Sequence, residues 1–289
     1  MMKMNGPVLR RQREERKNCP SKWMRRVVLI AAAGFLSVAH TNTHAAANKG
    51  KTMVFSPCQQ HVGLGDGLRL TPKEKKENSK RLRYSIKARF PYIEEHALAK
   101  QFNQEVAGLI SKEINRFKEG AEELAEAFKD DPTFRDIPSS LDIDYCVHMA
   151  AHGLISILFY MYEYGGGAHG SPDSLVLNYD LTGAHVLSLG DLFKPSSRYL
   201  KAIADYCINS LKKRGLTHNE HIDRGASEGF ENYKSWNITP NGLLITFDPY
   251  QVASYAEGAQ QVIIPFAVLR DILKPRGYIK IDKEGKVSW

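Results

Sequence analysis

From Leu82 onward the chain alternates. Leu82, Tyr84, Ile86, Ala88 and Phe90 are apolar, while Arg83, Ser85, Lys87 and Arg89 between them are polar. A period of two predicts a half-buried strand, which Pro91 is expected to end. The period then lengthens: Leu98, Phe102, Val106, Leu109, Ile110, Ile114 and Phe117 form one apolar stripe of a helix. Glu94 and Glu95 fall in its expected first turn, where the helix dipole favours acids. Gly120 is expected to separate it from a short second helix running to Asp130, and residues 131–140 read as a loop.

A second alternating run follows, with Leu141, Ile143, Tyr145, Val147 and Met149 against Asp142, Asp144, Cys146 and His148. Gly153 marks a turn, and residues 154–163 predict a more apolar strand. Leu175, Leu177, Tyr179 and Leu181 predict a third strand, which Thr182-Gly183 turns into a fourth around 184–189. Connections this short exclude crossovers and predict an antiparallel meander.

Further along, Tyr199, Ile203, Cys207 and Leu211 share a helical face that ends at Lys212-Lys213-Arg214 and Gly215. Pro240-Asn241-Gly242 predicts a hairpin between strands 236–239 and 243–247. A strand at 261–264, a helix from Pro265 through Leu273 and a terminal hairpin turned at Glu284-Gly285 complete the pattern. The fold class is α+β, with helices packed on an antiparallel sheet in a single domain over residues 81–289. Residues 48–80, rich in Lys, Gly and polar side chains, read as a linker or loosely packed arm.

The N-terminus has a different character. Residues 1–26 are polar and basic, Val27–Ala39 is a 13-residue run without charge, and Ala45-Ala46-Ala47 offers an A-x-A cleavage site. Thirteen apolar residues suit a signal-peptide core and fall short of the roughly 20 that span a bilayer. Residues 1–47 are therefore expected to be a signal peptide, with an uncleaved anchor as the alternative. The expected location is periplasmic or secreted, or inner-membrane anchored if the segment is kept.

That segment also explains the charge. The chain is +8 overall, but residues 1–47 hold nine Lys and Arg against two Asp and Glu. The remainder has 31 basic and 30 acidic residues, so its net charge is near +1. A basic domain that binds nucleic acid is not expected, and a membrane contact is expected only through a retained leader. Of the cysteines at 19, 58, 146 and 207, three follow the leader. They allow at most one intramolecular disulfide, of any pairing, with one thiol left over.

The most unusual local sequence is Tyr160-Met-Tyr-Glu-Tyr-Gly-Gly-Gly-Ala-His-Gly170. Gly165, Gly166 and Gly167 allow positive φ and close backbone approach, and the tyrosines offer flat amphipathic contact area. It is not a phosphate-binding loop, because no Lys-Ser/Thr follows and the segment leads into a strand. A plain glycine-rich turn is the structural alternative. Glu163 with His169 is the one acid–base pairing the loop suggests, although no second carboxylate is placed to serve it. Asp142, Asp144 and His148 read as the polar face of one strand, and Cys207 as a buried thiol. His218 and His221 lack a third metal ligand.

Beyond this loop, Asn178-Tyr-Asp-Leu-Thr-Gly183 and Leu187-Ser-Leu-Gly-Asp-Leu-Phe193 follow in order. Thr246-Phe-Asp-Pro-Tyr250, Tyr255-Ala-Glu-Gly258 and Val262-Ile-Ile-Pro265 continue the series. In this ordered set, over roughly residues 80–274, the chain resembles a bacterial extracytoplasmic domain-of-unknown-function family. That family is found as the sensor region of the lysozyme-binding anti-sigma factor RsiV, and a related domain precedes the catalytic domain of the peptidoglycan deacetylase PdaC.

The resemblance implies one α+β unit acting outside the cytoplasm, near the cell wall, with lysozyme or peptidoglycan as candidate partners. Residues 1–26 are too short for a sigma-binding module, so sigma regulation is not carried over. Polysaccharide deacetylases hold a metal with Thr-Phe-Asp-Asp and His-x-x-x-His motifs. Here Pro249 replaces the second aspartate after Thr246-Phe247-Asp248, and His148 and His152 stand about 13 Å apart on a regular strand.

The expectation is thus a non-catalytic binding domain without a cofactor or metal. Its contact surface is expected at Tyr162, Tyr164, Gly165, Gly166, Gly167, His169 and Gly170, together with Tyr250, Tyr255 and Gly258. A cell-wall glycan hydrolase using Glu163 and His169 is the alternative.

Overall fold

The computed structural model describes residues 62–289, except 66–67, 95–97, 132–137, 217–218, 276 and 283–285. The expected leader at 1–47, together with Cys19, Cys58, Glu95, His218 and the Glu284-Gly285 turn, lies outside the described residues. Seven strands form the main sheet in chain order: β1 (Val62–Gly65), β2 (Leu68–Ser79), β3 (Tyr84–Ile93), β4 (Ser139–Ala151), β5 (Leu154–Tyr164), β6 (Ser171–Asp180) and β7 (His185–Val186). The meander β4–β7 is antiparallel throughout, as the short turns require. The β3–β4 pair is parallel, because α1 (Ala99–Ala127) carries the chain across the sheet between them.

Two strands stand where a linker or arm is expected. β2 pairs with β3 along its whole length, from Leu70↔Ile93 to Ser79↔Tyr84. Its sequence hides this because, after the buried Leu70, it is an edge ribbon carried by backbone bonds and ion pairs, not by apolar burial. Glu77 bonds Lys118 of α1 and accepts from the Tyr84 hydroxyl at 2.8 Å.

Pro91 does not end β3. It faces Pro72 across the pair, and β4 runs alongside only Tyr84–Ala88, so no ladder bond needs its missing N–H. Gly120 does not break the helix either. α1 is one 29-residue element, and the stripe continues past Gly120 to the buried Ala121. Glu94 precedes the helix, whose first turn holds no acid.

The two faces of the sheet carry two cores. On one, the α1 stripe of Phe102, Val106, Ile110, Ile114 and Phe117 packs on Ile143, Ile157, Phe159 and Met161. On the other lie α2 (Tyr199–Lys212), α3 (Asn219–Gly225) and a three-stranded sheet. That sheet is built from β8 (Trp236–Thr239), β9 (Gly242–Phe247) and β10 (Gln260–Ile264), followed by α4 (Phe266–Leu269). Cys207, Leu211, Ile245, Phe247 and Ile264 are buried there.

A polar pin joins the small sheet to the large one. The Ser156 hydroxyl donates to Asn178 Oδ1 at 2.6 Å and accepts from Asn237 Nδ2 at 2.9 Å and the Ile238 N–H at 3.0 Å. Asn178 Nδ2 donates to the Trp236 carbonyl at 2.8 Å. A C-terminal hairpin of β11 (Lys280–Ile281) and β12 (Val287–Ser288) closes the chain. The architecture is α+β. No helix among the described residues is long and apolar enough to cross a membrane.

Candidate functional site

Alternation along β5 sends Tyr162 and Glu163 to opposite faces. Glu163 lies on the α1 face, where Arg116 Nη2 donates to its carboxylate at 2.9 Å while Arg116 Nε holds Glu113 at 2.9 Å. His169 lies on the other side, with Tyr162. The acid–base pairing of Glu163 with His169 is therefore not formed: the carboxylate is occupied by a guanidinium under the helix.

Tyr162 turns back on its own loop. Its hydroxyl accepts the Gly170 N–H at 2.9 Å, and a Cβ on Gly170 would stand 2.3 Å from Tyr162 Cζ. Any larger residue here would have to push the Tyr162 ring aside. The Tyr255 hydroxyl donates to the Gly170 carbonyl at 3.1 Å, and the Tyr255 ring stacks on His169 with centroids 4.2 Å apart and planes 23° from parallel. Tyr250 extends the array, its ring 5.5 Å from that of Tyr255. The two segments singled out in the sequence, 85 residues apart at Gly170 and Tyr255, thus meet in one aromatic cluster. Tyr162 (41% exposed) and Tyr250 (47%) are its open faces.

The supporting turn is held tightly. Tyr250 has φ of 70°, unusual for a residue with a side chain. Its N–H donates to the Ala253 carbonyl at 3.1 Å, and Gln251 Nε2 reaches the carbonyls of Gly225 and Asn232 at 3.0 and 2.9 Å. Ser254 and Glu257 then form a capping box around the 3-10 turn Tyr255–Glu257. Gly258 ends that turn at φ 71°, ψ −169°, a region open essentially to glycine alone. Strained backbone held by surrounding bonds is typical of sites that present a side chain. Burial, with lesser contributions from the neighbouring Tyr162 and Tyr250, raises the Tyr255 phenol and keeps it a neutral donor.

The remaining predicted residues sit at the rim. Tyr164 closes β5 opposite Ser140, and among Gly165, Gly166 and Gly167 only Gly166 takes positive φ, at 90°. Two residues before Tyr250 stands a second acidic group. The largely buried Asp248 accepts from the Ser174 hydroxyl at 2.7 Å and lies in hydrogen-bond contact with Asp173. Burial first, and the Asp173 charge second, push its carboxyl up to about 8. In sequence, Thr246-Phe247-Asp248 reads only as a partial metal motif. The pairing partner, 75 positions earlier on β6, leaves no mark in local sequence.

The other deacetylase-like pieces disperse. His152 stacks on Trp289 with centroids 6.4 Å apart, and burial lowers His148 to about 4 within β4. Among the described residues, no group of three or more His, Cys, Asp or Glu is placed to hold a metal ion. Cys146 is disulfide-bonded. Cys207 is a free, buried thiol, raised to about 12 by desolvation.

Two family models match the chain in succession. One, described as Deacetylase PdaC, matches residues 76–172, from β2 to the start of β6. The other, described as Protein of unknown function (DUF3298), matches residues 190–267, the layer of α2 and β8–β10. The peptidoglycan-N-acetylmuramic acid deacetylase PdaC of Bacillus subtilis (strain 168) is 29% identical over 179 residues, 61% of this chain and 37% of its own length. The chain therefore spans little more than a third of that relative.

A solved DUF3298 family member from Bacteroides fragilis NCTC 9343 superposes with a TM-score of 0.54 at 19% identity, over 72% of this chain and 93% of its own. A DUF3298 family protein from Pseudomonas aeruginosa PAO1 gives 0.48 at 20% identity, over 74% and 97%. The first likeness is one of fold. With one model over most of the large sheet and the other over the small one, the chain is similar in sequence to the PdaC and DUF3298 families.

Proposed function

We propose that this chain is an exported, non-catalytic binding domain that recognises peptidoglycan through the cluster of Tyr162, His169, Tyr250 and Tyr255. The observation that carries this reading is the stacked Tyr255–His169 pair with the exposed Tyr250 beside it, held on a strained turn. A rigid array of amphipathic rings offers flat contact area to sugar rings at little entropic cost.

The B. subtilis relative, by its name, acts on peptidoglycan N-acetylmuramic acid. Export is supported by the leader pattern of residues 1–47 and by a disulfide at Cys146, a bond that persists in oxidising compartments. The engagement of Glu163 by Arg116 argues against the hydrolase alternative.

The test is co-sedimentation of the full chain with purified insoluble peptidoglycan, alongside size-exclusion chromatography with lysozyme. The proposal expects the chain in the wall pellet and its Y250A/Y255A variant in the supernatant. Wild-type protein that stays in the supernatant overturns it. A lysozyme complex formed without wall binding replaces the polysaccharide with a protein partner.

A further inference from the structure

A polar cavity lies at the opposite end of β6 from the tyrosine cluster. Tyr162 pairs with Pro172, whereas Asp180 closes the strand eight residues on, about 26 Å away at the usual rise. The cavity holds about 380 Å³ and is lined by His185, Asp191, Lys274, Gly277 and Tyr278. That volume is at the lower end of small-molecule sites, about 300–1,000 Å³.

Two sequence motifs that the tyrosine cluster leaves unused meet at this cavity: Asp191 of one lines it, and Asp180 of the other bonds its lining residue Tyr278. In Asn178–Gly183, Asp180 accepts the Gly183 N–H at 2.8 Å and the Tyr278 hydroxyl at 3.0 Å. The Tyr278 hydroxyl also lies 3.4 Å from His185 Nε2. In Leu187–Phe193, Asp191 caps the turn at Ser188 through Oδ2 alone, at 2.8 Å to the N–H and 2.7 Å to the hydroxyl. Lys274 is fixed by its backbone, whose N–H donates to the Leu192 carbonyl at 3.0 Å.

The charges are the informative part. Asp191 and Lys274 line the same cavity with opposite signs, yet among the described residues neither closes an ion pair with the other or with any third group. A cavity with a carboxylate on one wall and an ammonium on another is complementary to a ligand carrying both charges in the reverse order.

We infer that this cavity binds a small zwitterion, a free amino acid or a short peptide, with its ammonium toward Asp191 and its carboxylate toward Lys274. Tyr278 and His185 supply polar contacts at the rim. The site is independent of the peptidoglycan reading, since it uses none of the residues of the tyrosine cluster.

The experiment titrates the full chain by calorimetry with D- and L-alanine in one arm and with alanyl-alanine of both configurations in the other. The arms distinguish a free amino acid from a peptide. N-acetyl and C-amide derivatives of the binding probe remove one charge at a time and are expected to bind at least tenfold more weakly. D191N, which keeps an oxygen for the Ser188 cap, and K274M are expected to lose at least tenfold, with thermal melts confirming that both fold. On the unmodified chain, chemical-shift changes at His185 and Tyr278 report the location. Absence of binding by all four probes overturns the inference. So does binding that survives charge blocking within twofold or leaves His185 and Tyr278 unmoved.

Discussion

The Tyr255 ring lies 4.2 Å from that of His169 while its hydroxyl holds the carbonyl of Gly170, so one side chain ties the β9–β10 connection to the β5–β6 loop. The surface is a composite of two segments, and its geometry depends on contacts that a single residue in either segment can undo.

Gly170 is the most sensitive of these. The Cβ of G170A meets the Tyr162 ring, which must leave and give up its bond to the backbone N–H. The expected loss is about 1–3 kcal/mol in urea unfolding. Y162A alone is expected to cost less, and the double variant to cost less than the sum, because the clash is gone once the ring is removed.

Asp248 makes the stability depend on pH. Its carboxyl titrates near 8 when folded and near its ordinary 3.8 when unfolded, so between those values the folded chain keeps a proton that the unfolded chain releases. The unfolded state binds fewer protons in that window, and this group's contribution to stability therefore falls as pH rises from about 4 to about 8. D248N keeps both the acceptor for Ser174 and a donor for Asp173 without the ionisation. Its Tm is expected to exceed that of the unmodified chain by at least about 4 °C at pH 8, with the gap closing below pH 4. Calorimetry at the two pH values measures this.

Arg116 is expected to be structural. R116M leaves Glu113 and Glu163 beneath α1 without their cation, at a cost of about 3 kcal/mol in denaturant unfolding. E163Q is expected to leave any wall digestion at background, equal to that of the unmodified chain. Digestion that the unmodified chain performs and E163Q loses would restore the hydrolase alternative.

Ser156 pins the two sheets, and S156A deprives Asn178, Asn237 and the Ile238 N–H of a shared buried partner. A loss of about 2–4 kcal/mol is expected, with weakened hydrogen-exchange protection across β8.

Much of this fold is legible in the sequence wherever burial on one face writes a period. β3, β4 and the α1 and α2 stripes follow from alternation and from helical spacing, and Pro240-Asn241-Gly242 announces its hairpin. β2 does not, because an edge strand of Lys, Glu and Asn past its single buried Leu70 has no apolar face to write. The parallel β3–β4 pairing depends on where α1 crosses, which no local pattern records.

The tyrosine loop stood out by composition. Its meeting with Tyr255 is a long-range contact, and the opposing orientation of Glu163 needed the register of β5 and the reach of Arg116. His185 and Lys274 carried no local signal, although Asp191 lay within a recognised motif.

The ring cluster of Tyr162, His169, Tyr250 and Tyr255 is proposed as the binding surface. The most direct measurement is the Kd for solubilised peptidoglycan fragments of the full chain against its Y250A and Y255A variants. Each substitution is expected to weaken binding at least tenfold while leaving Tm within a few degrees, in keeping with aromatic anchors that carry most of an interface's energy. Affinities that agree within twofold across all three proteins would contradict it.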